Sequence, residues 1–301
     1  MVFSNVRLTA VQLRNAFFAF LGPVLGIATL AYVSTTTATD LQFVGDSNST
    51  TSGGFGPNQV ASVLGLGLVF VLLVLLEYRG AFRSRATLLI IAVLLAAQSA
   101  LTFSRGGIVI ASASAFMAIL YLVREPRTRV TLVVLGATLF AVGTWIVVPR
   151  LDEFTGGKLV ERYSSFDSSN RDVIAALDMR VFFDNPALGV GPGAASELRR
   201  DFGDFAVTSA AHTEYTRMLA EHGIPGLIAI VLLLVLALRL VRDTRSIRTR
   251  AVVVALLTWV ALFMLINAMR IAAPAVVVGI ACAIANTSRI DPRLLERARQ
   301  S

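Results

Sequence analysis

Five residues are of types that could bind an anion and move a proton. They are Arg105, Arg171, His212, Arg217 and Arg270. Arginine binds phosphate or carboxylate oxygens through a planar fork of N–H donors and does not lose its charge. Histidine has an unperturbed pKa of about 6.5, so near neutral pH it is largely uncharged and can accept a proton. Whether these residues serve one site depends on the elements that carry them.

Those elements are predicted to be membrane-spanning helices. Apolar residues make up 55% of the 301-residue chain, and they form runs of about 18 residues or more, the length that a helix needs to cross a bilayer core. Two pairs of runs, 86–123 and 251–288, look continuous, but one helix of that length would extend to roughly 57 Å. We therefore expect each pair to fold back as a hairpin. The eight predicted spans are 17–34, 59–76, 86–103, 106–123, 130–148, 224–241, 251–268 and 271–288.

Arginine placement predicts the orientation of these spans. Most of the 27 Lys and Arg residues lie on short segments next to spans on the side of the N-terminus, and an excess of basic residues marks the cytoplasmic side. Both termini are therefore expected in the cytoplasm of a multi-pass protein of the cytoplasmic membrane. The net charge of +8 then reflects topology and gives no reason to expect nucleic-acid binding.

The orientation divides the chain into three parts. Spans 1–5 fill residues 1–148, an extracytoplasmic loop fills 149–223, and spans 6–8 with a cytoplasmic tail fill 224–301. The loop has one amphipathic helix from an N-cap at Asn170 to the stop at Asp184, and a second from about Ser209 to His222. Gly223 is predicted to end the second helix, and Pro225 to open span 6. The segment from Gly189 to Gly193 is interpreted as a structural turn.

The placement of charge within this topology suggests a site at the outer surface. None of the eight spans has a charged residue in its middle, where ion carriers usually keep one. Arg105 and Arg270 fall at the outer tips of the two hairpins, and Arg171, His212 and Arg217 lie in the outer loop. The predicted ligand is anionic. A zinc site is improbable because His212 and His222 would lie about 15 Å apart along a helix, and the lone Cys282 excludes an internal disulfide.

Four segments then carry a resemblance to a known family. They are TFSRGG at 102–107, SSNRDVIAAL at 168–177, NPALGVGPG at 185–193 and AHTEYTRMLAEHGIPGL at 211–227. Each is common alone, but in this order and topology they resemble the O-antigen ligase and O-antigen polymerase family. The resemblance covers residue 86 to about 240.

The resemblance implies an integral-membrane glycosyltransferase. Such proteins move a glycan from an undecaprenyl-diphosphate carrier to a hydroxyl of a lipid, protein or glycan acceptor, without a metal, another cofactor or a nucleotide sugar. Displacing a diphosphate requires stabilisation of the leaving charge and removal of a proton from the attacking hydroxyl. The hypothesis is that Arg105 and Arg171 bind the diphosphate and His212 is the base. Arg217 and Arg270 are secondary candidates for the same anion.

Two departures from the family pattern and several alternatives stay open. Thr213 stands where the family usually has Asn, which puts acceptor positioning in doubt. Two spans precede the Arg105 hairpin where about six are common, so we expect either a short member or a chain without its true N-terminus. Arg105 and Arg270 could instead be interfacial residues, and His212 could cap a surface helix. A polymerase, a transporter and an inactive remnant are the alternative functions.

Overall fold

The computed structural model describes residues 10–39, 43, 47–77, 82–123, 126–164, 171–199, 211–267 and 271–288. These residues are helical, with turns between the helices, and no strand occurs in the described ranges. The predicted all-α fold is therefore confirmed. The helices are α1 Ala10–Thr37, α2 Pro57–Glu77, α3 Phe82–Leu101, α4 Arg105–Leu122, α5 Pro126–Val142, α6 Val148–Phe154, α7 Lys158–Ser164, α8 Arg171–Asp184, α9 Ala195–Leu198, α10 Glu214–Asp243, α11 Ile247–Ile266 and α12 Ala273–Ser288.

Seven helical segments in the described part of the chain are long and apolar enough to cross a membrane. They correspond to the first seven predicted spans. The eighth prediction, 271–288, is the shorter apolar helix α12 of 16 residues. The run 86–123 is broken at Thr102–Ser104 between α3 and α4, as the length argument requires. The run 251–288 is likewise interrupted between α11 and α12.

The chain divides into two compact units. Unit 1 consists of residues 1–165, 241–259 and 275–301, and unit 2 of residues 166–240 and 260–274. Unit 1 thus contains α1 to α7, and unit 2 contains α8, α9 and most of α10.

Helix α2 is the centre of unit 1, and it packs against α1, α3 and α4. Its contact with α4 depends on a missing side chain at Gly107: a Cβ there would lie 2.1 Å from the carbonyl oxygen of Ala61. Small residues allow helices in membranes to approach closely, since lipid supplies little hydrophobic force between them. The second glycine of the TFSRGG segment therefore sets the position of α4, which begins at Arg105.

The fifth span extends beyond its predicted end at residue 148. Helix α5 continues through a π-helical turn, Gly143–Val147, into α6, which ends at Phe154. Pro149 lacks a backbone N–H and its ring crowds the carbonyl four residues earlier, so widening the turn before it lets the helix continue. The apolar run gave no signal of this extension because Pro149 normally ends a helix.

The two loop helices also form, with one shifted boundary. Helix α8, Arg171–Asp184, agrees with the predicted first helix, whereas the predicted cap Asn170 lies outside the described residues. The second helix begins at Glu214 rather than near Ser209, which is also outside the described ranges. Gly223 has φ 59° and ψ −138° and breaks α10 as predicted, since only glycine adopts such a backbone without strain.

Candidate functional site

His212 lies in unit 2, two residues before α10, and is half-buried. Burial lowers the pKa of its imidazole, and the positive charges of Arg171 and Arg199 lower that pKa further. Arg171 opens α8 and Arg199 follows α9. Two predicted site residues, His212 and Arg171, therefore lie close enough for one charge to act on the other ring. A neutral imidazole is the form that can accept a proton.

A buried ion pair lies at the centre of this part of unit 2. The Asp178 carboxylate accepts a hydrogen bond of 2.5 Å from Arg199 Nη1, and the exposed fractions of the two side chains are 0% and 2%. The Thr216 hydroxyl donates to the second Asp178 oxygen at 3.1 Å. Because α8, the segment after α9 and the first turn of α10 each supply one partner, the pair fixes three segments around His212. Neither Asp178 nor Arg199 was among the sequence candidates.

Arg217 is held between two carboxylates of its own helix. Its Nε donates to Glu214 Oε2 at 2.9 Å, Nη2 pairs with the other Glu214 oxygen, and Nη1 donates to Glu221 Oε2 at 2.5 Å. The three residues are spaced three and four apart, the separations at which helical side chains meet. Glu214 and Glu221 therefore more than offset the Arg217 charge and stabilise the first two turns of α10.

The glycine-rich segment NPALGVGPG docks onto the break in α10. The backbone N–H groups of Val190 and Gly191 each donate at 3.0 Å, to the carbonyls of Ala220 and Glu221. A Cβ at Gly189 would lie 2.4 Å from the Glu221 carbonyl carbon, so only glycine permits this approach. The interpretation of Gly189–Gly193 as a structural turn agrees with these contacts.

Two further hydrogen bonds connect the start of α10 to the end of α11 within unit 2. The Tyr215 hydroxyl donates to the Ala261 carbonyl at 3.2 Å, and the Thr213 hydroxyl contacts the Met264 carbonyl at 3.5 Å. Thr213 thus contacts the backbone of the seventh span. Arg270 lies outside the described residues, so its proposed contact with the anion stays a prediction.

Arg105 lies in unit 1 as the first residue of α4, directly after the hairpin tip Thr102–Ser104. The Thr102 carbonyl accepts from the Asn48 N–H at 3.1 Å, and the Ser104 hydroxyl donates to Asn58 Oδ1 at 2.6 Å. Phe103 is fully buried and has φ 56°, a left-handed conformation that costs a non-glycine residue about 1 to 3 kcal/mol. The surrounding hydrogen bonds therefore hold the tip, and with it the first turn of α4, in one conformation.

Tyr163 and Arg162, on the short helix α7, lie next to this tip. Arg162 Nε donates to the Phe103 carbonyl at 3.4 Å. Burial raises the pKa of the Tyr163 phenol, while the charges of Arg105 and Arg162 oppose that rise. The sequence offered no signal for either residue, because α7 is too short to show a periodic pattern.

We also searched the described residues for a possible metal site. In the ranges that the structure describes, no group of three His, Cys, Asp or Glu residues is arranged to hold a metal ion.

A family model described as O-antigen ligase matches residues 90–231. This range is similar to the O-antigen ligase family. The match confirms the resemblance found in the sequence, and it includes Arg105, Arg171, His212 and Arg217, whereas Arg270 lies beyond it. No curated protein and no solved structure matches the chain.

Proposed function

We propose that this multi-pass membrane protein transfers a glycan from an undecaprenyl-diphosphate carrier to a hydroxyl acceptor at the outer face of the cytoplasmic membrane. The match of residues 90–231 to the O-antigen ligase family model supports a glycosyltransferase-like membrane enzyme. The donor, the acceptor and the residue roles are parts of the proposal.

The reaction assigns one task to each principal residue. The acceptor oxygen attacks the anomeric carbon of the first sugar, and the bond from that carbon to the diphosphate oxygen breaks. The proton of the acceptor hydroxyl passes to His212, and the diphosphate leaves with the bonding electrons. Arg171 binds its oxygens and stabilises the developing charge. The binding of the same anion by Arg105 stays a prediction from the sequence.

The observation that carries this proposal is the proximity of His212 to Arg171 inside the matched domain. Before substrate binds, the Arg171 charge disfavours protonation of His212, because the two positive charges would repel each other. It therefore stays neutral until a hydroxyl is presented. When an anionic leaving group binds Arg171, the opposing charge is offset, and proton uptake by His212 becomes easier at the moment of transfer.

The case for diphosphate binding is weaker for Arg217 and Arg270. Glu214 and Glu221 more than offset the Arg217 charge, which favours a role in holding α10 over direct anion binding. Arg270 keeps its predicted secondary role.

The proposal requires the loop 149–223 to be extracytoplasmic and both termini to be cytoplasmic. A cysteine at exposed Ser47 should react in intact cells with a membrane-impermeant thiol reagent, whereas a cysteine at exposed Ser246 should react only after the cells are opened. Reaction of the Ser246 position in sealed cells would reverse the orientation. The native Cys282 lies in α12, and a Cys282→Ser background removes its signal.

Deletion of the gene tests the function itself. Loss of a ligase should leave finished glycan on the lipid carrier, whereas loss of a polymerase should leave single repeat units on it. Complementation with the wild-type gene should clear either product, and complementation with His212→Ala should not. A carrier pool that is unchanged by the deletion would contradict the proposal.

A further inference from the structure

The Tyr163 hydroxyl is a buried polar group without a hydrogen-bond partner among the described residues. Leaving such a group unsatisfied costs about 1 to 3 kcal/mol, so native proteins rarely keep one without a use. Its phenol is also the type of group that donates a hydrogen bond readily to an anionic oxygen.

The neighbours of this hydroxyl are positively charged. Arg162 is the preceding residue, and its Nε contacts the Phe103 carbonyl at the hairpin tip. Arg105 directly follows the same tip. Both guanidinium charges act on the Tyr163 ring. All three residues belong to unit 1, so their grouping depends on that unit alone.

We propose that Tyr163 and Arg162 complete an anion-binding subsite around Arg105, in which the Tyr163 hydroxyl donates a hydrogen bond to a phosphate oxygen of the diphosphate leaving group. This inference rests on the proposed function for the identity of the anion. It adds two residues that the sequence reasoning did not select.

The chemistry favours an oxyanion over other occupants. The phenol offers a proton, guanidinium groups only donate hydrogen bonds, and the two positive charges favour a negative ligand. Burial raises the phenol pKa, so the hydroxyl stays protonated and remains a donor at physiological pH. Several donors that converge on one acceptor form the usual arrangement for stabilising a departing phosphate charge.

Binding of inorganic pyrophosphate to the purified full-length protein in lipid-free detergent tests this subsite without any transfer reaction. We expect saturable binding, measured by calorimetry, and a fall in affinity of about 10-fold or more in Tyr163→Phe, because a hydrogen bond to a charged group is lost. Arg162→Gln should have an effect of similar size. Tyr32→Phe, at an exposed tyrosine, and Arg150→Gln, at an exposed arginine on α6, are the matched controls and should bind as the wild type does.

A phospholipid headgroup would present the same phosphate chemistry, so a second titration uses phosphatidylglycerol in the same detergent. The proposal expects pyrophosphate to bind more tightly than the lipid. Tighter binding of phosphatidylglycerol with the same loss in Tyr163→Phe would assign the subsite to a membrane lipid and overturn the diphosphate assignment.

A thermal melt without ligand separates the subsite from a purely structural role. Removal of an unsatisfied buried hydroxyl should leave the melting temperature of Tyr163→Phe equal to or above that of the wild type, while its pyrophosphate affinity falls. Unchanged affinity in Tyr163→Phe, or no saturable binding by the wild type, would overturn the inference. If binding behaves as expected but no glycan is transferred, the subsite stands and the proposed function fails.

Discussion

In unit 2 the buried Asp178 carboxylate has Arg199 and Thr216 as partners, whereas in unit 1 the buried Tyr163 hydroxyl has none within the described residues. We call the first arrangement closed because the Asp178 and Arg199 charges pair with each other, and it joins α8, the segment after α9 and the first turn of α10. We call the second open because the Tyr163 hydroxyl lacks an acceptor in the described residues; the charges of Arg105 and Arg162 act on its ring. The difference suggests that unit 2 positions the base through internal pairing, while unit 1 holds donors for an external anion.

The largest expected effect concerns the base in unit 2. His212→Ala should reduce the transfer rate by about 10² to 10⁴-fold, the usual cost of removing a general base, while the protein remains folded in the membrane. The measurement is turnover of a defined lipid-linked donor by the purified variant. His222→Ala, ten residues along and without an assigned role, is the control. A near-normal rate in His212→Ala would contradict the assignment of the general base to His212 in unit 2.

The next effect tests whether the closed arrangement depends on its ion pair. Asp178→Asn leaves Arg199 as a buried charge without its carboxylate and should lower the free energy of unfolding by about 3 to 5 kcal/mol. Denaturation in detergent, followed by the loss of helical signal, measures it. Glu161→Gln breaks the exposed pair with Lys158 and should cost less than about 1 kcal/mol. Equal losses in the two variants would contradict the comparison between buried and exposed pairing.

A charge-preserving change tests the open arrangement. Arg105→Lys keeps the charge but loses the planar fork that binds two oxygens at once. We expect the apparent KM for the lipid-linked donor to rise about 10-fold. Arg150→Lys, at an exposed position on α6, should leave the apparent KM unchanged. If Arg105 only anchors the helix end at the interface, lysine would replace it without loss, and the anion assignment would fail.

The smallest effect is a shift in pH dependence. Burial and the charges of Arg171 and Arg199 lower the His212 pKa, so kcat/KM should fall with decreasing pH only below about 6.5, the unperturbed value. Arg171→Gln removes one charge that opposes protonation, and the His212 pKa should rise. The acidic limb of the profile should therefore move to higher pH. Arg171→Lys keeps the charge and should leave the limb in place; a shift to lower pH in Arg171→Gln would contradict the electrostatic account.

The fold could be predicted from local patterns, whereas the pairing within the site could not. The lengths of the apolar runs predicted seven of the spans that the structure contains, and Gly223 with Pro225 predicted the break before span 6. These are properties of neighbouring residues. The partnership of Asp178 with Arg199 is different, since the two are 21 residues apart and meet only because α8 and the segment after α9 fold together.

The burial of Tyr163 is a second feature that the local sequence could not predict. A tyrosine in a short polar segment suggests exposure, and its burial follows from the packing of α7 near the hairpin tip. The sequence alone was sufficient to select Arg105, Arg171 and His212 as candidates. Arginine and histidine are conspicuous beside apolar spans, and the family resemblance also pointed to these three residues. Their chemical roles remain predictions.

The central claim is that this chain releases a glycan from a diphosphate carrier by base-assisted attack of a hydroxyl. The most direct measurement supplies the purified protein with an undecaprenyl-diphosphate-linked glycan and follows release of undecaprenyl diphosphate with and without a hydroxyl acceptor. The account predicts acceptor-dependent release by the wild type and its loss in His212→Ala. Equal release by wild type and His212→Ala, or an intact donor in the presence of cell-envelope acceptors, would contradict it.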